Sequence, residues 1–182
     1  MEKDWEKGAF AYMVELYRWN NKINLTGVKE TDATDVLIKP SVEMLDFIPE
    51  KCRVFDVGSG GGIPGIILAI NRPNAEFLLV DSDQRKCSFL SHVSGMLKLS
   101  NVRVVRGRVE KLCKQADYAG TGDVVVSRAV VREEVFACSA GFLKPGGLVI
   151  LHHSSKPFEP DARFEPLPGN EFADPFRFIL PL

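Results

Sequence analysis

The pattern of apolar positions changes near residue 50 of the 182-residue chain. Between Trp5 and Trp19, apolar residues recur at helical spacing, which predicts an amphipathic helix. A second helical stretch over residues 31–48 contains Pro40, which lacks a backbone donor and clashes with the preceding turn, so the sequence predicts two short helices there. Residues 1–50 are therefore expected to form an N-terminal helical extension.

Short apolar runs alternate with helical stretches from Arg53 onward. Such alternation predicts right-handed βαβ units and a mostly parallel sheet with helices on both faces. After Ser154 the prolines leave little room for a helix, but "RFEPL" and "FRFIL" are suited to a closing antiparallel pair. We expect an α/β fold in a single domain over 1–182, with its core in residues 51–182. The predicted strands are "RVFDV", "EFLLVD", "VRVVR", "DVVVS" and "GLVILH".

The composition, 45% hydrophobic and 26% charged, fits a globular domain. A net charge of -1 does not indicate a nucleic-acid binder by itself, although a local basic patch can coexist with a neutral total. The four cysteines lie far apart without a CxxC pair, which argues against a zinc site and a disulfide framework. No apolar run approaches the roughly 20 residues needed to span a bilayer. We expect a cytoplasmic protein with no metal site and no membrane span.

A glycine-rich segment, "FDVGSGGGIPG", follows the first predicted strand. Ligands of open α/β sheets bind at the carboxyl ends of the strands, and a loop without side chains lets a ligand approach the backbone amides at a helix N-terminus. Gly60, Gly62 and Gly65 form a G-x-G-x-x-G pattern, and Asp81 ends the next strand about 20 residues on, as the dinucleotide fingerprint requires. An NAD-dependent oxidoreductase is therefore one interpretation.

Asp56 favours a different ligand. A carboxylate beside the loop would repel a pyrophosphate, whereas it would attract the ammonium and sulfonium groups of S-adenosylmethionine. Asp81 is suited to accept hydrogen bonds from both ribose hydroxyls of either kind of cofactor. The alternative is that Asp56 and Asp81 only cap helices and that the glycines only form a tight turn.

Several motifs together resemble one family, the RsmG (glucose-inhibited division protein B, GidB) methyltransferases that modify a guanine N7 in small-subunit ribosomal RNA. The resemblance implies a class I S-adenosylmethionine-dependent methyltransferase with a Rossmann-like fold, and small-subunit ribosomal RNA or a ribosomal particle as the partner. The motifs are "WNNKINLT", "DVGSGGGIPGIILAI", "LLVDSDQRKCSFL", "NVRVVRGRVEKL", "DVVVSRAV" and "FLKPGG".

The resemblance also implies roles for individual residues. Asn24 and Thr26 would lie near the mouth of the pocket, and Arg128 would lie against both cofactor and substrate. Because the N7 lone pair of guanine is free, the reaction needs positioning more than an acid or a base. The candidate catalytic residues are Arg128, Asn24 and His153. The candidate cofactor-binding residues are Asp56, Gly58, Gly60, Ile63, Asp81, Val109, Glu110 and Arg128.

The chain departs from the family pattern where the substrate should bind. Lys39 and Pro40 stand where the family usually has an arginine-histidine pair, and His153 stands where it has a lysine. The link between the fifth and sixth strands is short, so one sheet face is expected to be partly uncovered unless a partner or a second copy covers it. Two alternatives follow: a class I methyltransferase with a different RNA or small-molecule substrate, and a catalytically inactive homologue that binds RNA or the ribosome.

Basic residues cluster in two places along the sequence. Such residues can neutralise RNA phosphates, although a run of charges can also be an ordinary solvated surface. The cations around the third strand are Arg103, Arg106, Arg108, Lys111 and Lys114, and those near the N-terminal helices are Lys22, Lys29 and Lys39.

Overall fold

Seven strands form one sheet in the computed structural model, which describes residues 4–128, 131–152 and 161–179. The order across the sheet is β3-β2-β1-β4-β5-β7-β6, and the first five strands are parallel. The strands are β1 (Arg53–Val57), β2 (Glu76–Asp81), β3 (Val102–Arg106), β4 (Gly122–Ser127), β5 (Leu143–His152), β6 (Phe164–Pro166) and β7 (Ala173–Phe178).

The α/β class and the parallel sheet are confirmed. β5 begins at Leu143, earlier than predicted, because "LKPG" continues the strand ahead of the apolar run. The expected closing pair is present: β7 is antiparallel to both β5 and β6. The strand order reverses between β1 and β4, so their carboxyl ends form the crevice at which such sheets bind ligands.

Helices cover both faces of the sheet. One apolar cluster packs α1, α2, α3 and α4 against the first face, and a second cluster, rich in phenylalanine, packs α5 and α6 against the other. The helices are α1 (Asp4–Asn20), α2 (Lys39–Glu43), α3 (Gly65–Asn71), α4 (Gln84–Met96), α5 (Val109–Leu112) and α6 (Arg132–Phe142).

Pro40 does not divide its segment into two separate helices, so that prediction is wrong. Helical turns run without a gap from Glu30 to Phe47, and Pro40 lies in the first turn of α2, where a missing N–H is tolerated. A π turn over Thr34–Ile38 immediately precedes it. This wider turn is an established way to accommodate an irregularity in a helix.

The expected short link between β5 and β6 falls largely on residues 153–160, which lie outside the described ranges. Among the described residues, no group of histidine, cysteine, aspartate or glutamate side chains is placed to hold a metal ion. Within the same ranges, none of the helices has the length and apolar character required to cross a membrane.

The N-terminal helix is fastened to the sheet layer by polar contacts. The fully buried Tyr12 hydroxyl donates a hydrogen bond to the Gly61 carbonyl at 2.6 Å. On the same helix, Glu15 Oε2 lies 2.9 Å from His92 Nε2 on α4, and this hydrogen bond lowers the pKa of Glu15. The extension is therefore part of the structure that surrounds the glycine loop.

Asp56 supports the glycine loop from below. Its side chain is fully buried, and Oδ2 accepts a hydrogen bond from the Gly65 N–H at 3.1 Å. Its backbone carbonyl accepts another from the Ser59 hydroxyl at 2.8 Å. Burial raises the pKa of Asp56 to about 7.

Gly65→Ala should destabilise the protein. A methyl group at this position would overlap Asp56 Oδ2 and lie 2.5 Å from Leu79 Cδ2. Overpacking of this kind costs about 1–3 kcal/mol, and urea unfolding measures the loss. The matched control is Gly95→Ala on α4, where a methyl group meets nothing and should stabilise the helix by up to about 1 kcal/mol. Equal stability of the two variants would contradict the packing described at Gly65.

Asp56 should also make stability depend on pH. Its pKa rises from 3.8 to about 7, so between these values the folded state holds a proton that the unfolded chain has lost. The free energy of unfolding should therefore fall as pH rises from about 4 to about 7. Asp56→Asn keeps an oxygen for Gly65 but cannot ionise, so it should lack this part of the slope. Urea unfolding of both proteins across this range tests the expectation, and a stability difference that does not vary with pH would contradict it.

Candidate functional site

A cavity of about 590 Å³ lies at the carboxyl edge of the sheet, between the strands and the N-terminal extension. Its walls come from the segments after β1, β2, β3 and β4, and from residues 24–28 of the extension. The sequence-predicted residues that line it are Asn24, Thr26, Gly58, Gly60, Ile63, Asp81, Val109, Glu110 and Arg128.

The glycine loop forms the wall above β1. Gly58 and Gly60 adopt φ values of 71° and 55°, which disfavour residues with a side chain. The N–H groups of Gly58 and Ser59 both donate to the Val80 carbonyl at 3.0 Å, so the loop is attached to the end of β2. The loop therefore presents bare backbone to the cavity in a fixed shape.

Asp81 forms the wall at the end of β2. Oδ2 accepts the Gly60 N–H at 2.9 Å, and Oδ1 accepts the Asp83 N–H at 2.8 Å. A carboxylate oxygen can accept two hydrogen bonds, so each oxygen keeps acceptor capacity on the cavity side. These backbone contacts fix the carboxylate in an orientation that suits two neighbouring hydroxyl groups.

The third wall follows β3. The Gly107 N–H donates to the Asp81 backbone carbonyl at 3.0 Å, which brings the start of α5 next to Asp81. Val109 contributes a half-buried apolar side chain, and Glu110 adds an exposed carboxylate. This arrangement offers an apolar surface with one acceptor beside it, which suits a flat heterocycle that carries an amino group.

Arg128 contributes the only guanidinium deep in the wall among the described residues. It follows β4, and its Nη1 donates to the Val36 carbonyl in the π turn at 2.8 Å. Burial lowers the pKa of Arg128, which remains far above neutrality because arginine stays protonated in proteins. Burial also raises the pKa of the neighbouring Tyr12, which therefore stays a neutral donor.

Asn20 shapes the segment that carries Asn24 and Thr26, and the sequence analysis missed it. Its Oδ1 accepts the N–H groups of Leu25 and Thr26 at 2.7 and 3.0 Å, and its Nδ2 donates to the Thr26 carbonyl at 2.9 Å. An asparagine at the end of a helix commonly bonds the backbone of the following turn, which was the available signal. Other lining residues that were missed are Tyr12, Leu16, Leu37 and Lys86.

Two predicted site residues are not seen in the cavity. The Asp56 carboxylate was expected to face the ligand, but it lies behind the glycine loop and does not line the cavity. The reason is that its side chain points toward the start of α3, where it bonds Gly65. Its Oδ1 is buried with no hydrogen-bond partner among the described residues. His153 lies outside the described residues.

Solved structures share the fold of this chain. A SAM-dependent methyltransferase from Aquifex aeolicus matches with a TM-score of 0.63 at 13% identity, over 92% of this chain and 98% of the other. Precorrin-6y C5,15-methyltransferase from Geobacter metallireducens matches with a TM-score of 0.53 at 18% identity, over 72% of this chain and 65% of the other. The predicted class I methyltransferase fold is confirmed.

Sequence relatives are closer. The protein named ribosomal RNA small subunit methyltransferase G of Burkholderia ambifaria is 36% identical over 178 residues, which cover 94% of this chain and 76% of the relative. The protein of the same name from Bordetella avium is 33% identical, over 81% of this chain and 67% of the relative. The family model GidB, described as rRNA small subunit methyltransferase G, matches residues 6–160. These matches confirm the resemblance seen in the sequence: the chain belongs to the rRNA small subunit methyltransferase G family.

Proposed function

We propose that this protein transfers a methyl group from S-adenosylmethionine to N7 of a guanine in small-subunit ribosomal RNA. The observation that carries the proposal is the cavity in which Asp81, the bare glycine loop and Arg128 meet at the carboxyl edge of the sheet. The proposal makes small-subunit ribosomal RNA, naked or in a ribosomal particle, the partner and the cytoplasm the compartment.

The residues of the cavity fit S-adenosylmethionine. Gly58 and Gly60 leave the loop backbone open to the amino-acid portion, and the oriented Asp81 carboxylate can accept both ribose hydroxyls. Val109 can pack on the adenine, and Glu110 can accept a hydrogen bond from its amino group. When bound, the cofactor supplies an electrophilic methyl group on a sulfonium. A cavity of about 590 Å³ lies within the usual range for such ligands.

The chain's own residues have to position the target base. N7 of guanine carries a free lone pair, so no residue needs to remove a proton from it. Arg128 is a fixed donor at the end of β4 that can bond the guanine O6 and hold the base in line. Asn24, exposed at the rim, can offer a donor and an acceptor to the same base.

The structure gives little support to an NAD-dependent oxidoreductase. A pyrophosphate requires free amides in the glycine loop, but the N–H groups of Gly58, Ser59 and Gly60 already bond the end of β2. The buried carboxyl group of Asp56 beneath the loop adds no attraction for an anion. The dinucleotide fingerprint is therefore better explained by the shared need for a tight turn and a ribose acceptor.

A class I methyltransferase with a different RNA or small-molecule substrate is a second candidate, favoured by one observation. Lys39 stands where the family usually has an arginine-histidine pair, and its ammonium contacts Asp35 instead of remaining free. The neighbouring Pro40 is buried and has no polar side chain. This part of the extension therefore offers less to an RNA substrate than the family pattern does. A catalytically inactive homologue would bind the cofactor without transferring its methyl group.

The proposed function predicts methyl transfer to a defined atom. The purified protein, given S-adenosylmethionine with a labelled methyl group, should label small-subunit ribosomal RNA that lacks the modification, offered as naked transcript and as isolated subunits. Methylation at guanine N7 should make the RNA cleavable at that guanine by borohydride and aniline. Label without such cleavage would favour another target atom, and cofactor binding without label would favour the inactive homologue.

The same assay should respond to Asp81. Removing a charged acceptor costs about 1.5–3 kcal/mol per hydrogen bond, so Asp81→Ala should raise the KM for S-adenosylmethionine at least tenfold. The control is Asp83→Ala: Asp83 caps α4, so its loss should reduce stability while leaving this KM unchanged. An equal effect of the two substitutions on KM would argue against a ribose-binding role for Asp81.

A further inference from the structure

The arginines of this protein divide into two groups by their partners. In the part of the chain that the structure describes, the arginines in ion pairs with an acid are Arg18, Arg53, Arg72, Arg85, Arg132, Arg163 and Arg177. Within the same described ranges, the arginines without an ion pair are Arg103, Arg106, Arg108 and Arg128. Arg128 lines the cavity, and the other three follow one another along β3 and the turn after it.

The unpaired cations form a continuous surface that leads to the cavity. β3 is an edge strand, and both its arginines are exposed. Arg108 is exposed and also lines the cavity mouth, and two exposed lysines follow at three-residue steps on and after α5. We call this the β3 surface: Arg103, Arg106, Arg108, Lys111 and Lys114.

The contacts within the β3 surface leave its charge available. Arg106 Nη1 donates to the neutral Gln84 Oε1 at 3.1 Å, which orients the guanidinium without neutralising it. The nearby acid Asp83 is already paired with Arg85. Exposed cations elsewhere on the sheet, such as Lys144 and Arg177, have carboxylate partners.

We propose that the β3 surface binds the phosphate backbone of the RNA strand whose target base enters the cavity. This inference rests on the proposed function. A row of exposed cations on an extended strand offers charge along a line: Arg103 and Arg106 are about 10 Å apart at the rise of a β-strand. Phosphates need charge more than shape, so RNA fits this surface better than a protein partner, which would also need an apolar contact area.

The N-terminal lysines offer less to an RNA backbone. The ammonium of Lys39 contacts Asp35, and the same segment carries the exposed acids Glu30 and Asp32. Lys29 directly precedes these acids. The RNA strand is therefore expected to approach over β3 and α5, on the side of the cavity away from this acidic segment.

The test neutralises the β3 surface without touching the cavity. In the surface variant, Arg103→Gln, Arg106→Gln, Lys111→Gln and Lys114→Gln are combined, and Arg108 is kept because it lines the cavity. Binding of transcribed small-subunit ribosomal RNA is measured over a series of KCl concentrations. If each lost contact lowers the log–log salt slope by about 0.7, the slope should fall by about three, with affinity at 0.1 M salt reduced by at least about tenfold.

A matched control variant carries the same loss of charge elsewhere, with Lys7→Gln, Lys51→Gln, Lys144→Gln and Arg177→Gln, all at exposed positions. The control should bind RNA with nearly the wild-type slope. A third variant keeps Arg106, so any effect of losing its Gln84 contact is separated from the loss of charge. It should lose about three quarters of the slope change.

Three results would overturn the inference: a wild-type slope in the surface variant, an equal loss of slope in the control, or no RNA binding by the wild-type protein. Calorimetric titration with S-adenosylmethionine should give the same affinity for wild type and surface variant. If the wild-type protein fails to bind S-adenosylmethionine, the proposed function fails, and the RNA slopes still report on the β3 surface by themselves.

Discussion

The hydrogen bonds that hold the glycine loop are the constraint on which the cavity depends. Asp56 Oδ2 fixes the loop at Gly65, Asp81 Oδ2 fixes it at Gly60, and the Tyr12 hydroxyl fixes it at Gly61 from the N-terminal helix. Leaving a buried polar group unpaired costs about 1–3 kcal/mol, so each contact strongly favours this one loop shape. The loop can then present backbone without side chains, and the walls after β2 and β3 are placed relative to it.

Charge is distributed according to the same division between support and function. Beneath the loop, burial keeps the Asp56 carboxyl protonated over much of the acid range, and its Oδ1 has no hydrogen-bond partner among the described residues. Around the rest of the sheet, arginines are paired with acids. At the cavity and along β3 the guanidinium groups have no acidic partner in the described ranges, although Arg128 bonds the Val36 carbonyl. A folded protein gains little from exposed unpaired cations, which is why their clustering beside the cavity indicates a binding surface.

The parts of this structure that could be predicted from sequence are those set by local patterns. Apolar runs located the strands, and the glycine loop with Asp81 located the cavity, because strand ends and bare backbone have few alternatives. The direction of Asp56 could not be predicted, since side chains alternate along a strand and the sequence does not say which side faces the ligand. The bond from Arg128 to Val36 joins residues far apart in sequence through a π turn that no local pattern announces.

The central claim is that the N-terminal extension and the sheet edge form a single cavity for the methyl donor. Hydrogen exchange of the backbone amides, with and without S-adenosylhomocysteine, tests it most directly. The account predicts slower exchange on binding in residues 58–62, 81–83 and 107–110 and also in residues 24–28 of the extension. Unchanged exchange in residues 24–28, with protection limited to the loops after the strands, would contradict a shared cavity.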